Sequence, residues 1–309
     1  MKMIQQRVPL KNKNWFATGG PAHFFTEPAT AQEFRYALEF AHKNNLPIFI
    51  LGSGANVLIS EDGFDGLVIR PALKKIYTKN TFVTAGAGVT MHDLIEYCLD
   101  NNLIGLEEFS GIPGTVGGSV YINLHYFNFL LEHFLVKARV INKTTGKIIN
   151  VDKKWLHFGY NQSTLHQEDY YLLNATFALK KVIDLETAYA RGRRAEITRH
   201  RAARYPTSHT CGSFFRNFKE NEVTLTWNGK KIIWVAYYLD KIGVKGQLKF
   251  GNAIVSYQHA NMLVNSGGAT TKEIINLAKK MQMLVYDNFG IIPQPECRLI
   301  GFKKYPLYK

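Results

Sequence analysis

The sequence is poor in cysteine, short of acid, and free of long apolar runs. Among its 309 residues only Cys98, Cys211 and Cys297 are cysteines, far apart and odd in number. No CxxC pair exists, so neither a disulfide framework nor a metal site is expected, and a reducing cytosol fits better than an oxidising compartment. No apolar stretch approaches the ~18 residues of a membrane-crossing helix, and the longest, 232–239 and 127–131, read as core segments. Residues 1–10 carry charge but no apolar h-region, so no secretory signal and no membrane insertion are expected. Repeats and low-complexity tracts are absent too. Hydrophobic residues at 46% and charged residues at 20% argue for a globular chain with a sizeable core.

What is abundant is positive charge. Lys plus Arg is 38 against 24 for Asp plus Glu, a formal net charge of +14. Such a balance suits a polyanion: nucleic acid, a membrane surface, or phosphate-bearing small molecules. The densest cluster is Arg191, Arg193, Arg194, Arg199, Arg201 and Arg204, interrupted by Glu196, and its spacing is helical. A basic helix can face a phosphorylated ligand as readily as DNA, so charge alone leaves the partner open.

Three helices are expected from Thr caps with an acid three residues on: Thr30 with Glu33, Thr90 with Asp93, and Thr270 with Glu273. Each is followed by apolar residues at helical spacing, which read as core faces. Short β-branched or aromatic runs predict strands at 48–51, 57–59, 67–69, 82–85, 136–141, 170–173, 175–179, 253–255 and 262–264. Strands and helices mix without regular βαβ alternation, so the expected class is α+β. The basic stretch 185–204 reads as a helix at a domain boundary.

Two glycine-rich segments stand out. Gly52, Ser53 and Gly54 follow a strand and precede Ala55 and Asn56. A dinucleotide fingerprint would need a third glycine opening a helix, but Val57 starts another strand, so a Rossmann site is excluded. The second segment runs Gly111-Ile112-Pro113-Gly114-Thr115-Val116-Gly117-Gly118. Its four glycines predict neither ordinary helix nor strand, and no Gly-Lys-Ser/Thr makes it a P-loop. Two such segments could pinch one diphosphate between backbone N–H groups, as a flavin dinucleotide requires.

Further segments occur in order along nearly the whole chain: Trp15-Phe16 with Gly19-Gly20-Pro21-Ala22, Gly63-Phe64-Asp65-Gly66, Phe158-Gly159-Tyr160 and Gly212-Ser213-Phe214-Phe215-Arg216-Asn217. Gly243-Val244-Lys245-Gly246, His259-Ala260-Asn261 and Pro295-Glu296-Cys297-Arg298 follow. Together with the two glycine segments, this series resembles the UDP-N-acetylenolpyruvoylglucosamine reductase (MurB) family of bacterial peptidoglycan synthesis, in its short form. The resemblance implies a two-part FAD-binding region of the vanillyl-alcohol-oxidase-like kind, over 1–72 and 73–190, followed by an α+β substrate-binding domain over 191–309 whose end can return to the FAD region. It implies FAD, NADPH as hydride donor, a UDP-linked enolpyruvyl sugar as acceptor, the bacterial cytoplasm, and no obligatory protein partner.

By the same resemblance Ser213 is the proton donor and Glu296 the second catalytic group. Gly52, Ser53, Gly54, Ala55, Asn56, Gly111, Gly114, Thr115, Gly117, Gly118 and Tyr160 would hold the cofactor. Asn217, Arg204, Lys245 and His259 would hold the substrate. Two positions depart from the family pattern. Asn161 stands where the family has an arginine counted as catalytic, and asparagine brings neither permanent charge nor the donor fork. Asn123-Leu124-His125-Tyr126-Phe127-Asn128 stands where the family has small residues. Two functional readings follow: a reductase, or a catalytically impaired paralogue serving as a ligand-binding or regulatory protein. Nucleic-acid binding is a third class, but no nucleic-acid module is present.

Overall fold

A computed structural model describes residues 4–309; the first three, part of the stretch read for a leader, lie outside the described residues. The class is α+β, and contacts divide the chain into two units. One comprises residues 4–6, 24–53 and 66–201, the other 7–23, 54–65 and 202–309, so the described chain passes from one to the other five times.

The first unit is built on a five-stranded antiparallel sheet in the order Ile148–Asp152, Leu135–Asn142, Tyr170–Ala178, Phe82–Gly86, Ile76–Lys79. The sequence broke the third of these at Asn174. The structure runs it through, because Asn174 sits in register between Arg139 and Gly86. Helix α1, Ala31–Lys43, starts as expected: the Thr30 hydroxyl accepts from Glu33 N at 3.1 Å and the Glu33 carboxylate accepts from Thr30 N at 3.3 Å. Its buried Phe34, Ala37, Leu38 and Ala41 pack with Leu67, Ile69, Ile141, Tyr171 and Leu173. Helix α2, Met91–Asp100, has only half of its expected cap. Thr90 accepts from Asp93 N at 3.0 Å, but the aspartate, one methylene shorter than glutamate, does not return the bond.

Helix α3, Val116–Tyr121, corrects the reading of the second glycine segment, since Gly117 and Gly118 are helical. Thr115 caps it by accepting from Gly118 N at 3.3 Å, and Gly117 N donates to Ala87 O at 2.9 Å. Glycine is demanded at Gly117 by close packing: a Cβ there would lie 3.0 Å from Ala87 O. Helix α4, Asp184–Arg204, is the basic helix.

The second unit carries a three-stranded antiparallel sheet, Lys249–Phe250, Ala253–Val255 and Leu263–Asn265, and a parallel pair, Val57–Ile59 with Arg298–Ile300. Helix α5, Val235–Lys241, and helix α6, Thr271–Phe289, share its apolar core. Helix α6 has a full capping box, and Thr271 donates to Ile59 O at 2.7 Å. It ends at Gly290, whose φ of 70° takes the left-handed turn.

Candidate active site

In the first unit Gly52, from the first glycine segment, meets Thr115 of the second. A Cβ on Gly52 would lie 2.8 Å from the Thr115 hydroxyl oxygen. Among the described residues, the amides of Gly52, Ser53, Gly54, Ala55 and Asn56 donate to no protein acceptor, and neither do those of Gly114 and Thr115. Five successive unmatched donors are what a phosphate-binding turn offers. The protein itself explains some of the glycines. Gly54 has φ 73° and no room beside Asn14 Cα, 2.5 Å from where a Cβ would sit. It explains others less well: a Cβ on Gly114 or Gly118 would make ordinary contacts of 3.6 and 3.7 Å. The open surface at these two positions fits a ligand that approaches the backbone closely, so the segments suit FAD.

Gly111 has φ 75° and faces the side chain of Arg201. The guanidinium of Arg201 lies 5.2 Å from the Tyr126 ring centroid. Tyr160 is exposed and its ring lies 4.9 Å from that of His125, whose pKa burial lowers. Asn161 follows in a tight turn closed by paired bonds between Gly159 and Gln162, 3.0 and 3.3 Å. Its φ is 53°, a left-handed conformation that asparagine tolerates better than arginine. Its Oδ1 is buried and lacks a protein partner. The altered 123–128 stretch is held by Asn123, which donates to Glu132 Oε1 and Gly159 O and accepts from Glu132 N.

Helix α4 does not present a free basic face. Arg191 pairs with Glu96 and Asp100, Arg193 with the buried Glu108, Arg194 with Glu96, and Arg199 with Glu196. Burial raises the Glu108 pKa while Arg193 opposes the rise. Four of the six clustered arginines are therefore matched by carboxylates.

In the second unit the segment carrying Ser213 lies beside the segment carrying Glu296. Phe215 bridges Pro295, and Phe214 O accepts from Glu296 N at 2.8 Å. On its other side Ser213 bridges Met262, and Phe214 N donates to Asn261 O at 2.8 Å. Sequence reasoning gave Asn261 no role. Its buried amide accepts from Phe215 N at 3.0 Å and donates to Phe215 O at 2.7 Å, fixing the backbone two residues beyond Ser213. The Ser213 hydroxyl meets no hydrogen-bond partner among the described residues. Arg216 forks onto Glu222 at 2.8 and 2.7 Å and donates to Asn217 O at 2.9 Å, which anchors the next turn.

His259, Arg204 and Lys245 form one electrostatic group. Burial lowers the His259 pKa, Asp240 raises it, and the positive charges of Arg204 and Lys245 lower it again. Its Nδ1 accepts from Asn261 N at 3.2 Å, which leaves Nε2 as the N–H donor of the neutral ring. Lys245 Nζ stands 3.8 Å from Asp240. No cluster of metal-ligating side chains occurs among the described residues, and no helix there is long and apolar enough to cross a membrane.

Residues 22–152 match the family of FAD binding domains, and residues 204–300 match the C-terminal domain of UDP-N-acetylenolpyruvoylglucosamine reductase. The chain is 31% identical over 299 residues to the reductase of that name from Clostridium perfringens, covering 95% of this chain and 91% of the relative. It is 31% identical over 304 residues to the one from Listeria innocua, covering 97% and 96%. The crystal structure of the Thermus caldophilus reductase superposes with a TM-score of 0.77 at 26% identity, covering 97% of this chain and all of that one.

Proposed function

The chain belongs to the UDP-N-acetylenolpyruvoylglucosamine reductase family, and from that premise we propose that it reduces UDP-N-acetylglucosamine enolpyruvate to UDP-N-acetylmuramate, with FAD as cofactor and NADPH as hydride donor. The observation that carries this reading is the pairing of the Ser213 and Glu296 segments through Phe214 and Asn261. When bound, FAD would supply the hydride-transfer chemistry between the nicotinamide nucleotide and the alkene. Residues 1–72 and 73–190 would hold the cofactor and 191–309 the sugar nucleotide. Three buried thiols and peptidoglycan precursor chemistry suit the bacterial cytoplasm.

The amides of residues 52–56, with Gly114 and Thr115, would take the diphosphate of FAD. Ser213 would give its proton to the alkene carbon beside the carboxylate, its hydroxyl having no protein acceptor to compete for it. An unperturbed serine is a weak acid, so donors around the oxygen must favour its charged form as the proton leaves. Glu296 would act at the carboxyl end of the substrate. Neutral His259 would offer Nε2–H while Arg204 and Lys245 meet the substrate diphosphate, with Asn217 toward the uridine part.

The position of Asn161 supports a second reading. A tight turn that favours asparagine supplies no cation there, as a weak or inactive paralogue would show. The test is purification followed by two measurements. Stoichiometric yellow flavin and NADPH oxidation that depends on the enolpyruvyl sugar support the reductase. Flavin without turnover, or a folded colourless protein, would favour the paralogue.

A further inference from the structure

Gln258, half-buried in the second unit, closes the end of helix α4. A helix leaves its last four carbonyls without partners of its own. Gln258 supplies one from outside: its Nε2 donates to Ala202 O at 2.9 Å and to Ala203 O at 3.2 Å. Arg204, the last residue of α4, follows directly. Its guanidinium lies 5.7 Å from the Tyr205 ring centroid, and that ring lies 5.5 Å from the ring of His259. Adjacent residues, Gln258 and His259, thus hold the helix end and the ring beside it. Residues 202–205 and 258–259 all belong to the second unit.

The segment that presents Gln258 is closed by its own bonds. Ser256 N donates to Met262 O at 2.8 Å, Met262 N to His259 O at 3.1 Å, and Gln258 N to Ser256 Oγ at 3.0 Å. Gly246 N donates to Ser256 O at 3.1 Å, which ties the neighbour of Lys245 to the same segment. The cap is therefore aimed from a fixed frame. It also settles a competition. The carbonyl end of a helix carries partial negative charge, and an arginine in the last turn can fold back onto it. With the carbonyls of Ala202 and Ala203 occupied, the Arg204 guanidinium stays beside Tyr205 and His259.

We propose that Gln258 is a positioning residue for recognition of a diphosphate: its amide caps α4 and so holds Arg204 where the phosphates of the ligand meet it. An amide suits this task because it donates two N–H groups without adding charge, whereas a carboxylate would face the helix carbonyls with no donor. No bond is made or broken at Gln258. Its loss weakens binding of the nucleotide and leaves the proton of Ser213 unaffected. The effect on turnover rests on the function proposed above, in which Arg204 and Lys245 meet the diphosphate of the sugar nucleotide.

The experiment uses the flavin-loaded protein carrying Gln258→Leu, which keeps the size and removes the donor, or Gln258→Lys, which restores a donor. Gln258→Leu should raise the KM for the enolpyruvyl sugar nucleotide about tenfold, the equivalent of one lost hydrogen bond, while kcat holds. Calorimetric affinity for uridine diphosphate should fall by the same factor, and Gln258→Lys should recover it. Arg204→Ala should weaken binding at least as much, and adding Gln258→Leu to it should cost nothing further. Titration of His259 by NMR gives a readout independent of turnover. Burial lowers its pKa, Asp240 raises it, and Arg204 and Lys245 lower it again, so withdrawal of the Arg204 charge in Gln258→Leu should move it up. Additive losses in the double variant, a fall in kcat with KM unchanged, Gln258→Lys as weak as Gln258→Leu, or an unmoved His259 titration would each overturn the proposal. If the wild type shows no turnover, the functional reading fails, while uridine diphosphate binding and the His259 titration still decide the role of Gln258.

Discussion

The glycine segments and the 213–217 segment use the backbone in opposite ways. Residues 52–56 leave a row of amides without protein acceptors. Around Ser213, backbone bonds are filled on both sides, by Asn261 and by the strand of Glu296, and the side chain is left over. One region offers unmatched donors and needs missing side chains; the other offers a side chain and needs a fixed backbone. Disturbing the first should therefore affect cofactor affinity, and disturbing the second should affect a chemical step.

The largest effect expected from this contrast is at Ser213. Ser213→Ala should leave flavin content and flavin reduction by NADPH unchanged, while reoxidation by the enolpyruvyl sugar slows by roughly 10²–10⁴-fold. Stopped-flow separation of the two half-reactions checks it, and slowed reduction with normal reoxidation would break the contrast.

Next in size is Gly114→Ala. A Cβ there makes only ordinary contact with Ser119, so the melting temperature should hold. Loss of one close amide contact to a phosphate, at ~1.5–3 kcal/mol, should weaken FAD binding by about 10–100-fold. Gly54→Ala is the companion variant: its φ of 73° and its crowding by Asn14 should lower stability as well as flavin content. If Gly114→Ala retains flavin at full affinity, the second glycine segment is not part of the cofactor site.

Asn161→Arg tests the departure from the family. A fixed cation near the reacting centre can be worth ~2.7–4 kcal/mol. The left-handed backbone and the burial of a new charge subtract from that, leaving on the order of a tenfold gain in single-turnover reoxidation. Thermal denaturation comes first, since a badly buried charge would unfold the turn. A folded, flavin-bound variant with no gain would show that the arginine is not what limits this chain.

The smallest effect is at the anchor of Asn217. The Arg216 fork holds the Glu222 pKa down at about 2, against 4.5 for a free carboxylate. A depressed pKa contributes stability above pH 4.5 that fades as pH falls toward 2. The pair is partly exposed, so Glu222→Gln should remove only about 1 kcal/mol at neutral pH. Denaturation curves of wild type and variant should converge on acidification, and a gap that persists at low pH would refute the ion-pair account.

Local chemistry was the legible part of this sequence. Threonine caps announced α1, α2 and α6 because a cap and its partner lie within four residues. What needed distant partners was hidden. Gly117 and Gly118 read as loop because the acceptor that explains Gly117, Ala87 O, lies thirty residues upstream. The arginines of α4 read as an open basic face because Glu96, Asp100 and Glu108 come from earlier segments. Asn261 gave no signal, since its work is done on Phe215. The motif residues of the candidate site were named through family resemblance.

The five crossings between units carry a consequence for synthesis. Every segment of the first unit has left the ribosome once Arg201 has emerged, but the second unit still lacks everything from Ala202 to Lys309. Its parallel pair joins Val57–Ile59 to Arg298–Ile300, so a strand made early waits for a partner made last. Pairings of such sequence separation close slowly. Residues 57–59 must wait for that ladder through most of translation, and a chain stalled before Arg298 would carry a Val-Leu-Ile strand without its parallel partner.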